Sequence, residues 1–295
     1  MNALAQTIAG AAGLGGLTLG YSLIEAQAFA TRNVSAEVLP PDSPDLRVLH
    51  LSDLHITPAQ TRKIQWVASL ATLDPDLVVV TGDFLAHQLA VPAVMEALGE
   101  LLAKPGLFVL GSNDYYAPYL KSPFVYFNKK RNSVIKDVRL PTTELCEQLT
   151  GAGWHDLNNS QTNLVVNEVS IHARGTDDPH INKDRYELVS GPFTSGSLAL
   201  GVTHAPYKRV LQSFAADHAQ LVLAGHTHGG QVCIPFYGAL VTNCDLPTKQ
   251  AKGLSIFGEN NMPLHVSAGV GTSPFTPIRL ACRPEATLLT LSSKK

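Results

Sequence analysis

Residues 221–231 read LVLAGHTHGGQ: a short apolar run, a glycine, two histidines one residue apart, then two more glycines. Four apolar residues bounded by glycine have the length of a buried strand. On an extended chain residues two apart face the same side, so His226 and His228 point together. A single histidine at a strand end is more often a structural residue than a ligand. The same arrangement, however, recurs upstream. Arg47–Leu51 (RVLHL) runs into Asp53 and His55, Leu77–Val80 (LVVV) into Gly82 and Asp83, Leu107–Leu110 (LFVL) into Gly111, Ser112, Asn113 and Asp114, and Leu198–Val202 (LALGV) into Thr203 and His204. Helical spacing at Ile64, Val67, Leu70 and Leu73, and a second helical stretch over 91–102, separate the first three runs. Strands joined by helical crossovers are parallel, and parallel strands deliver their carboxyl ends to one edge, where ligands bind. Five strand ends that each supply one or two oxygen or nitrogen donors surround a pair of cations. Carboxylate with imidazole suits Mn, Fe, Zn or Mg rather than soft copper sites.

Composition narrows the alternatives. The chain has 295 residues, 22 Lys plus Arg against 24 Asp plus Glu, and a net charge of −2, which argues against a nucleic-acid partner bound through bulk positive charge. With 45% hydrophobic and 16% charged residues the chain is globular, not disordered. Four cysteines without a C-x-x-C pair do not make a disulfide scaffold. No G-x-S-x-G elbow and no Gly-Lys dipeptide is present, so neither a serine hydrolase nor a P-loop competes with the metal reading. Strand signals continue through Asn163–Val166, Val169–His172, His265–Ser267 and Ala286–Leu291, which favours one layered α/β domain over two.

The ordered set D-x-H (Asp53, His55), G-D (Gly82, Asp83), G-S-N-D (111–114), T-H (Thr203, His204) and G-H-T-H-G-G-Q (225–231) resembles the calcineurin-like metallophosphoesterase superfamily, over about Leu46 to Val232. The apolar leader is similar to that of its membrane-associated bacterial branch, some of whose members act on sugar-nucleotide lipids. The resemblance implies two packed mixed β-sheets flanked by helices, in four layers, over residues 46–295. It implies a hydrolase of phosphate esters or anhydrides, monoesters or diesters, acting through a metal-bridging hydroxide on a phosphorylated small molecule or lipid-linked substrate. It also implies roles: Asp53, His55 and His228 on one divalent ion, His204 and His226 on a second with an amide from 111–114, and Asp83 bridging. Asp83, Asn113 and His204 are the catalytic candidates.

One segment departs from the family pattern. Where relatives carry G-N-H-D or G-N-H-E, this chain has Gly111-Ser112-Asn113-Asp114. In ungapped register Ser112 takes the amide ligand's place and Asn113 that of a histidine that protonates the leaving group. Asn113 is the better ligand of the two, because an amide oxygen is a stronger neutral donor than a hydroxyl. Either way the usual general acid is missing, and acid catalysis is typically worth about 10²–10⁴-fold. His87 and His180 are candidate replacements, each equally readable as a surface histidine, and Asp114 is a candidate hydrogen-bond partner of a ligand. The altered segment also supports an alternative: a catalytically weak metal-binding scaffold of the same fold. A nuclease is a third reading, disfavoured by the charge.

The first charged residue is Glu25, so residues 1–24 have the length of a bilayer-spanning helix. A membrane anchor over 1–30 is the favoured reading, against a cleaved signal peptide or a glycine-rich leader. Arg32 and Arg47 then place the catalytic domain in the cytoplasm. Residues 31–45, with Pro40, Pro41 and Pro44, read as a linker. The basic run Asn128–Asn132 behind Phe124, Tyr126 and Phe127 reads as a solvated surface loop, or as a contact to anionic headgroups.

Overall fold

A computed structural model describes residues 3–119 and 138–294, with the backbone alone over 3–12. Helix α1 (Ala3–Glu25) and strand β1 (Ala30–Leu39) come first, followed by β2 (Leu46–Leu51), α2 (Thr61–Ser69), β3 (Leu77–Thr81), α3 (Val91–Leu98), β4 (Gly106–Val109), the single turn α4 (Ser112–Tyr115), α5 (Thr142–Gly151) and β5 (His155–Asp156). The second half holds β6 (Gln161–Val166), β7 (Val169–Gly175), β8 (Leu198–Val202), α6 (Lys208–Ala216), β9 (Leu221–Ala224), β10 (Cys233–Ile234), β11 (Gly238–Ala239), β12 (Gly253–Phe257), β13 (Met262–Val266) and β14 (Glu285–Ser293). One mixed sheet runs β1-β14-β2-β3-β4-β5 and the other β12-β13-β9-β8-β7-β6, with β10-β11 a separate ribbon.

Alternation along the strands builds the layers. Val48, Leu77, Val79, Leu107 and Val109 meet Leu200, Val202, Leu221 and Leu223 between the sheets. The intervening Leu49, Leu51, Val78, Val80 and Phe108 pack outward under Ile64 and Val67 of α2, Val94 and Leu98 of α3, and Leu145 and Leu149 of α5. On the far side Val222, Ala224, Leu264 and Val266 pack under Val210, Leu211 and Phe214 of α6. The result is the expected order of helices, sheet, sheet and helix. Both faces of β3 and β9 are buried, as near-continuous apolar runs require.

His50 and His265 face each other in the inter-sheet layer, Nδ1 to Nδ1 at 2.9 Å, and His50 Nε2 lies 2.9 Å from Thr81 Oγ1. Burial holds both imidazoles below their ordinary pKa, that of His265 at about 4. They join the sheets at the end where the candidate ligands gather.

Two expectations need correction. Most of the segment read as a linker is strand β1, parallel to β14. Val34, Ala36 and Val38 alternate inward and the prolines begin only at 40, after the strand. The expected membrane-spanning helix is the second. Helix α1 forms, but among the described residues no helix is long and apolar enough to cross a membrane. Gly, Ala, Thr and Gln occupy much of its length in place of bulky apolar side chains. The basic run at 128–132 lies outside the described residues.

Phe214 is fully buried between α6 and the second sheet. Phe214→Ala is expected to cost about 3–5 kcal/mol, read as a lower urea midpoint with an unchanged slope; a loss under about 1 kcal/mol would contradict this packing.

Candidate metal centre

The carboxyl ends of β2, β3, β4, β8 and β9 converge on the floor of a cavity of about 430 Å³ whose lining includes His55, Asp83, Asn113, His180, His226 and His228. Ligand-type atoms of Asp53, His55 and His228 lie within 4.8 Å of one another, and so do those of Asp53, Asp83 and His204. The backbone at these positions is unusual. Asp53, His55, Asp83, His226 and His228 all have left-handed φ, between 42° and 69°. Such conformations cost about 1–3 kcal/mol each and persist where the surrounding structure imposes them. Here strand-like bonds impose them: Asp53 N–H donates to Gly82 O and His55 N–H to Asp83 O, both at 2.9 Å.

The imidazoles turn their lone pairs inward. Nδ1 of His204 donates to Thr81 O at 2.7 Å and Nδ1 of His228 to Gly271 O at 3.1 Å, which leaves each Nε2 as an acceptor. Nε2 of His226 lies 3.3 Å from Asn243 O, and its Nδ1 faces His204 Nε2 at 3.3 Å. His55 Nε2 faces His228 Nε2, also at 3.3 Å. Carboxylate oxygens fill the remaining directions. Asp53 Oδ1 is 3.4 Å from His228 Nε2, and Asp83 Oδ2 is 3.4 Å from His55 Nε2 and 3.6 Å from His204 Nε2. Asp53 Oδ1 and His55 Nδ1 are buried without a hydrogen-bond partner. Acceptors facing acceptors in a buried space repel one another unless a cation lies between them, so the donor set fits divalent metal.

Protonation follows the same logic. Burial lowers His228 to about 3 and holds His55 and His226 well below their ordinary values, so these three rings stay neutral. Burial opposes the charge on His204 too, but Asp83, Asp178 and Asp53 around it push its pKa up to about 9. The field that holds a proton there is the field that would hold an ion.

Asn113 and Ser112 make different contacts. The backbone N–H of Asn113 donates to Asp83 Oδ1 at 2.8 Å and its carboxamide reaches Asp83 Oδ2 at 2.7 Å. Ser112 lines the cavity. Asp114 works one layer down, accepting from Asp83 N and Leu85 N at 2.8 and 3.0 Å and from Gly111 N at 2.9 Å. Burial and then Asp83 push its pKa up to about 8. Gly111 has to be glycine, since a Cβ there would meet Asp83 Oδ1 at 2.2 Å. His180 reaches the site: its ring lies 4.4 Å from that of His226, and its Nδ1 is 3.0 Å from the Tyr207 hydroxyl. His87 is exposed, accepts from Leu89 N–H, and is not among the side chains gathered here.

Residues 46–230 match the Calcineurin-like phosphoesterase family. The chain belongs to that family. It is 30% identical over 272 residues to the Danio rerio "Transmembrane protein with metallophosphoesterase domain", a match that covers 88% of this chain and 56% of that protein. It therefore spans little more than half of that relative. It is 24% identical to the uncharacterized metallophosphoesterase YkuE of Bacillus subtilis (strain 168), over 88% of this chain and 84% of the other. It is 27% identical to the Chlamydia trachomatis "UDP-2,3-diacylglucosamine pyrophosphatase LpxG", over 83% of each. Family members are divalent-metal phosphoesterases, in keeping with the donor set just described.

Three residues went unnoticed in the sequence reading. Asp178 is buried with Oδ2 unpartnered while Oδ1 accepts from His180 N–H; burial, against the pull of His204, pushes its pKa up to about 7. It follows the end of β7, so the strand-end rule that found the other ligands pointed there as well. Asn243 sits in a loop with no ligand pattern. Arg279 is fully buried and spans the back of the site, one guanidinium nitrogen donating to the carbonyls of Ala268, Gly269 and Gly271 at 2.8, 3.0 and 2.7 Å and the other to His228 O at 3.3 Å. No sequence signal marks it.

Arg279→Met removes the donors to those carbonyls, each worth about 1–3 kcal/mol when left unsatisfied. We expect a lower thermal midpoint and a weaker upward shift of that midpoint on adding Mn²⁺ than in the unaltered chain; an unchanged Mn²⁺ shift would show that Arg279 does not hold the His228 loop.

Proposed function

We propose that the chain hydrolyses phosphate diesters or anhydrides at a pair of divalent cations held by Asp53, His55, Asp83, Asn113, His204, His226 and His228. The observation that carries this reading is the inward convergence of imidazole nitrogens and carboxylate oxygens at one cavity floor. In this assignment Asp53, His55 and His228 would hold one ion and His204 and His226 the other, with Asp83, 3.4 Å from His55 Nε2 and 3.6 Å from His204 Nε2, shared between them. Asn113, turned over at its amide, offers Oδ1 where Nδ2 now meets Asp83. Bound there, the ions supply Lewis acidity toward a phosphoryl oxygen and toward water.

The protein's own groups do the rest. Asp114 and the Asp83 and Gly111 N–H groups it binds fix the β3 and β4 loops against each other, so the bridging carboxylate is preorganised. His180 stands at the cavity wall with its Nδ1 3.0 Å from the Tyr207 hydroxyl, and in this reading its ring supplies the proton to a leaving-group oxygen. In this reading His180 takes the part of the family's histidine that is absent at 113, which favours turnover over a silent scaffold. The cavity walls include Val232, Leu240, Val241 and Ile278 above this polar floor. A substrate joining phosphate to an apolar part suits that division, and the relative named as a UDP-2,3-diacylglucosamine pyrophosphatase has such a substrate in its name. The same reading associates the chain with a membrane surface, where lipid-linked phosphates reside.

Purified full-length chain with Mn²⁺ is expected to hydrolyse bis-nitrophenyl phosphate, and Asp83→Asn to abolish the activity. Two bound ions without turnover on diester, monoester and anhydride substrates would instead support the scaffold. His180→Asn is expected to lower kcat by about 10²-fold or more on an alkyl-ester substrate, with a smaller loss on nitrophenyl esters, whose leaving group needs no proton; equal losses on both would assign His180 to binding. Because a proton on His204 competes with the ion, apparent Mn²⁺ affinity should rise with pH up to about 9 and level off above it, measured by calorimetry. Affinity independent of pH between 7 and 9 would exclude His204 from the ligand set.

A further inference from the structure

The cavity mouth opens beside a surface that the fold does not account for. Val232, Ile234, Phe236, Tyr237, Leu240 and Phe275 are all exposed. They cluster on the β10–β11 ribbon and on the 273–278 segment, which Gln231 ties to the ribbon through the carbonyls of Thr276 and Ile278. Phe236 is wholly in solvent and adopts φ 66°, a left-handed conformation in which a bulky side chain is an outlier. Glycine or asparagine would make that turn without strain. Among the described residues nothing covers this strained aromatic, which leaves it open to a partner.

The neighbouring elements identify the partner's chemistry. Segment 279–282 is bonded on one side to the ribbon, through Leu280 N to Gln231 O and Cys233 N to Leu280 O. On its other side Arg279 N–H donates to Ser22 O, and the Ala281 and Cys282 N–H groups donate to the Glu25 carboxylate, both at 2.9 Å. The apolar ribbon is thereby continuous with the end of α1. Residues 13–21 of that helix are exposed on every side and uncharged. An uncharged helix exposed all round suits insertion part-way into the apolar layer of a bilayer, which asks less apolarity than crossing it. Exposed Lys249, Lys252 and Arg283 border the ribbon and the base of α1, placed as interfacial cations are around an apolar anchor.

We propose that the β10–β11 ribbon and the Phe275 loop form a docking rim that seats the cavity mouth on the surface of an anionic lipid bilayer, with α1 embedded beside it. An apolar substrate tail then enters from the lipid side while its phosphate meets the cavity floor. This second part rests on the phosphoesterase reading; the docking does not.

The test uses the full chain and vesicles of phosphatidylglycerol and phosphatidylcholine with brominated acyl chains. Phe236→Trp should show tryptophan emission quenched beyond that of the unaltered chain. Glu259→Trp should not, because the turn at 258–261 precedes β13, which runs parallel to β9, and so lies at the opposite end of the sheet from the site. Replacing Phe236→Ser and Tyr237→Ser together should lower vesicle partitioning by about tenfold or more, as the loss of two buried aromatic side chains requires. Absence of vesicle binding, binding without added quenching at position 236, or undiminished partitioning of the double variant would each overturn the proposal. Quenching with no metal-dependent turnover would leave the docking rim standing and remove the phosphoesterase reading.

Discussion

The structure depends on an electrostatic constraint. A buried floor crowded with carboxylate oxygens and imidazole nitrogens is unfavourable on its own, and the protein maintains it with left-handed backbone at five site residues on three strand-end loops. Strain and unpaired acceptors of this kind are retained where a cation compensates them. The family match and the donor set point the same way: the fold supplies rigid strand ends, and the strand ends supply candidate ligands for a cation. Burial disfavours charge on the rings at 55, 226 and 228, while the carboxylates around His204 favour it there.

Much of this was legible in the chain because strand parity and strand-end chemistry are local. The run LVVV before Thr-Gly-Asp already says that Leu77 and Val79 face one layer, Val78 and Val80 the other, and that Asp83 emerges at the carboxyl edge. The same rule placed Asp53, His55, His204, His226 and His228. What Ser112 and Asn113 each touch was not local, since it depends on how the β4 turn meets Asp83 across the sheet; both line the cavity, and Asn113 meets that carboxylate through its main chain and its side chain.

What escaped the sequence is long-range. Strand β1 looked like a linker because its prolines sit just beyond it, and its partner β14 is the last strand of the chain. Arg279 and Glu25 act on main-chain groups, so no residue pattern announces them, yet together they bind the end of α1 to the segment that holds the His228 loop. Helix α1 shows the converse limit. Its uncharged length suggested a membrane span, but its glycine, alanine and hydroxyl content leaves it short of the apolarity that crossing requires. His180 was one of two candidates of equal sequence merit, and only the fold distinguishes it from His87, bringing the first against His226 and leaving the second in solvent.

The most direct test is metal stoichiometry. Chain stripped with chelator, re-equilibrated with Mn²⁺ or Zn²⁺, freed of excess ion and measured by elemental analysis should retain two ions per molecule, and the Asp53→Asn form should retain fewer. Folded protein that emerges free of metal under those conditions would contradict the account at its root.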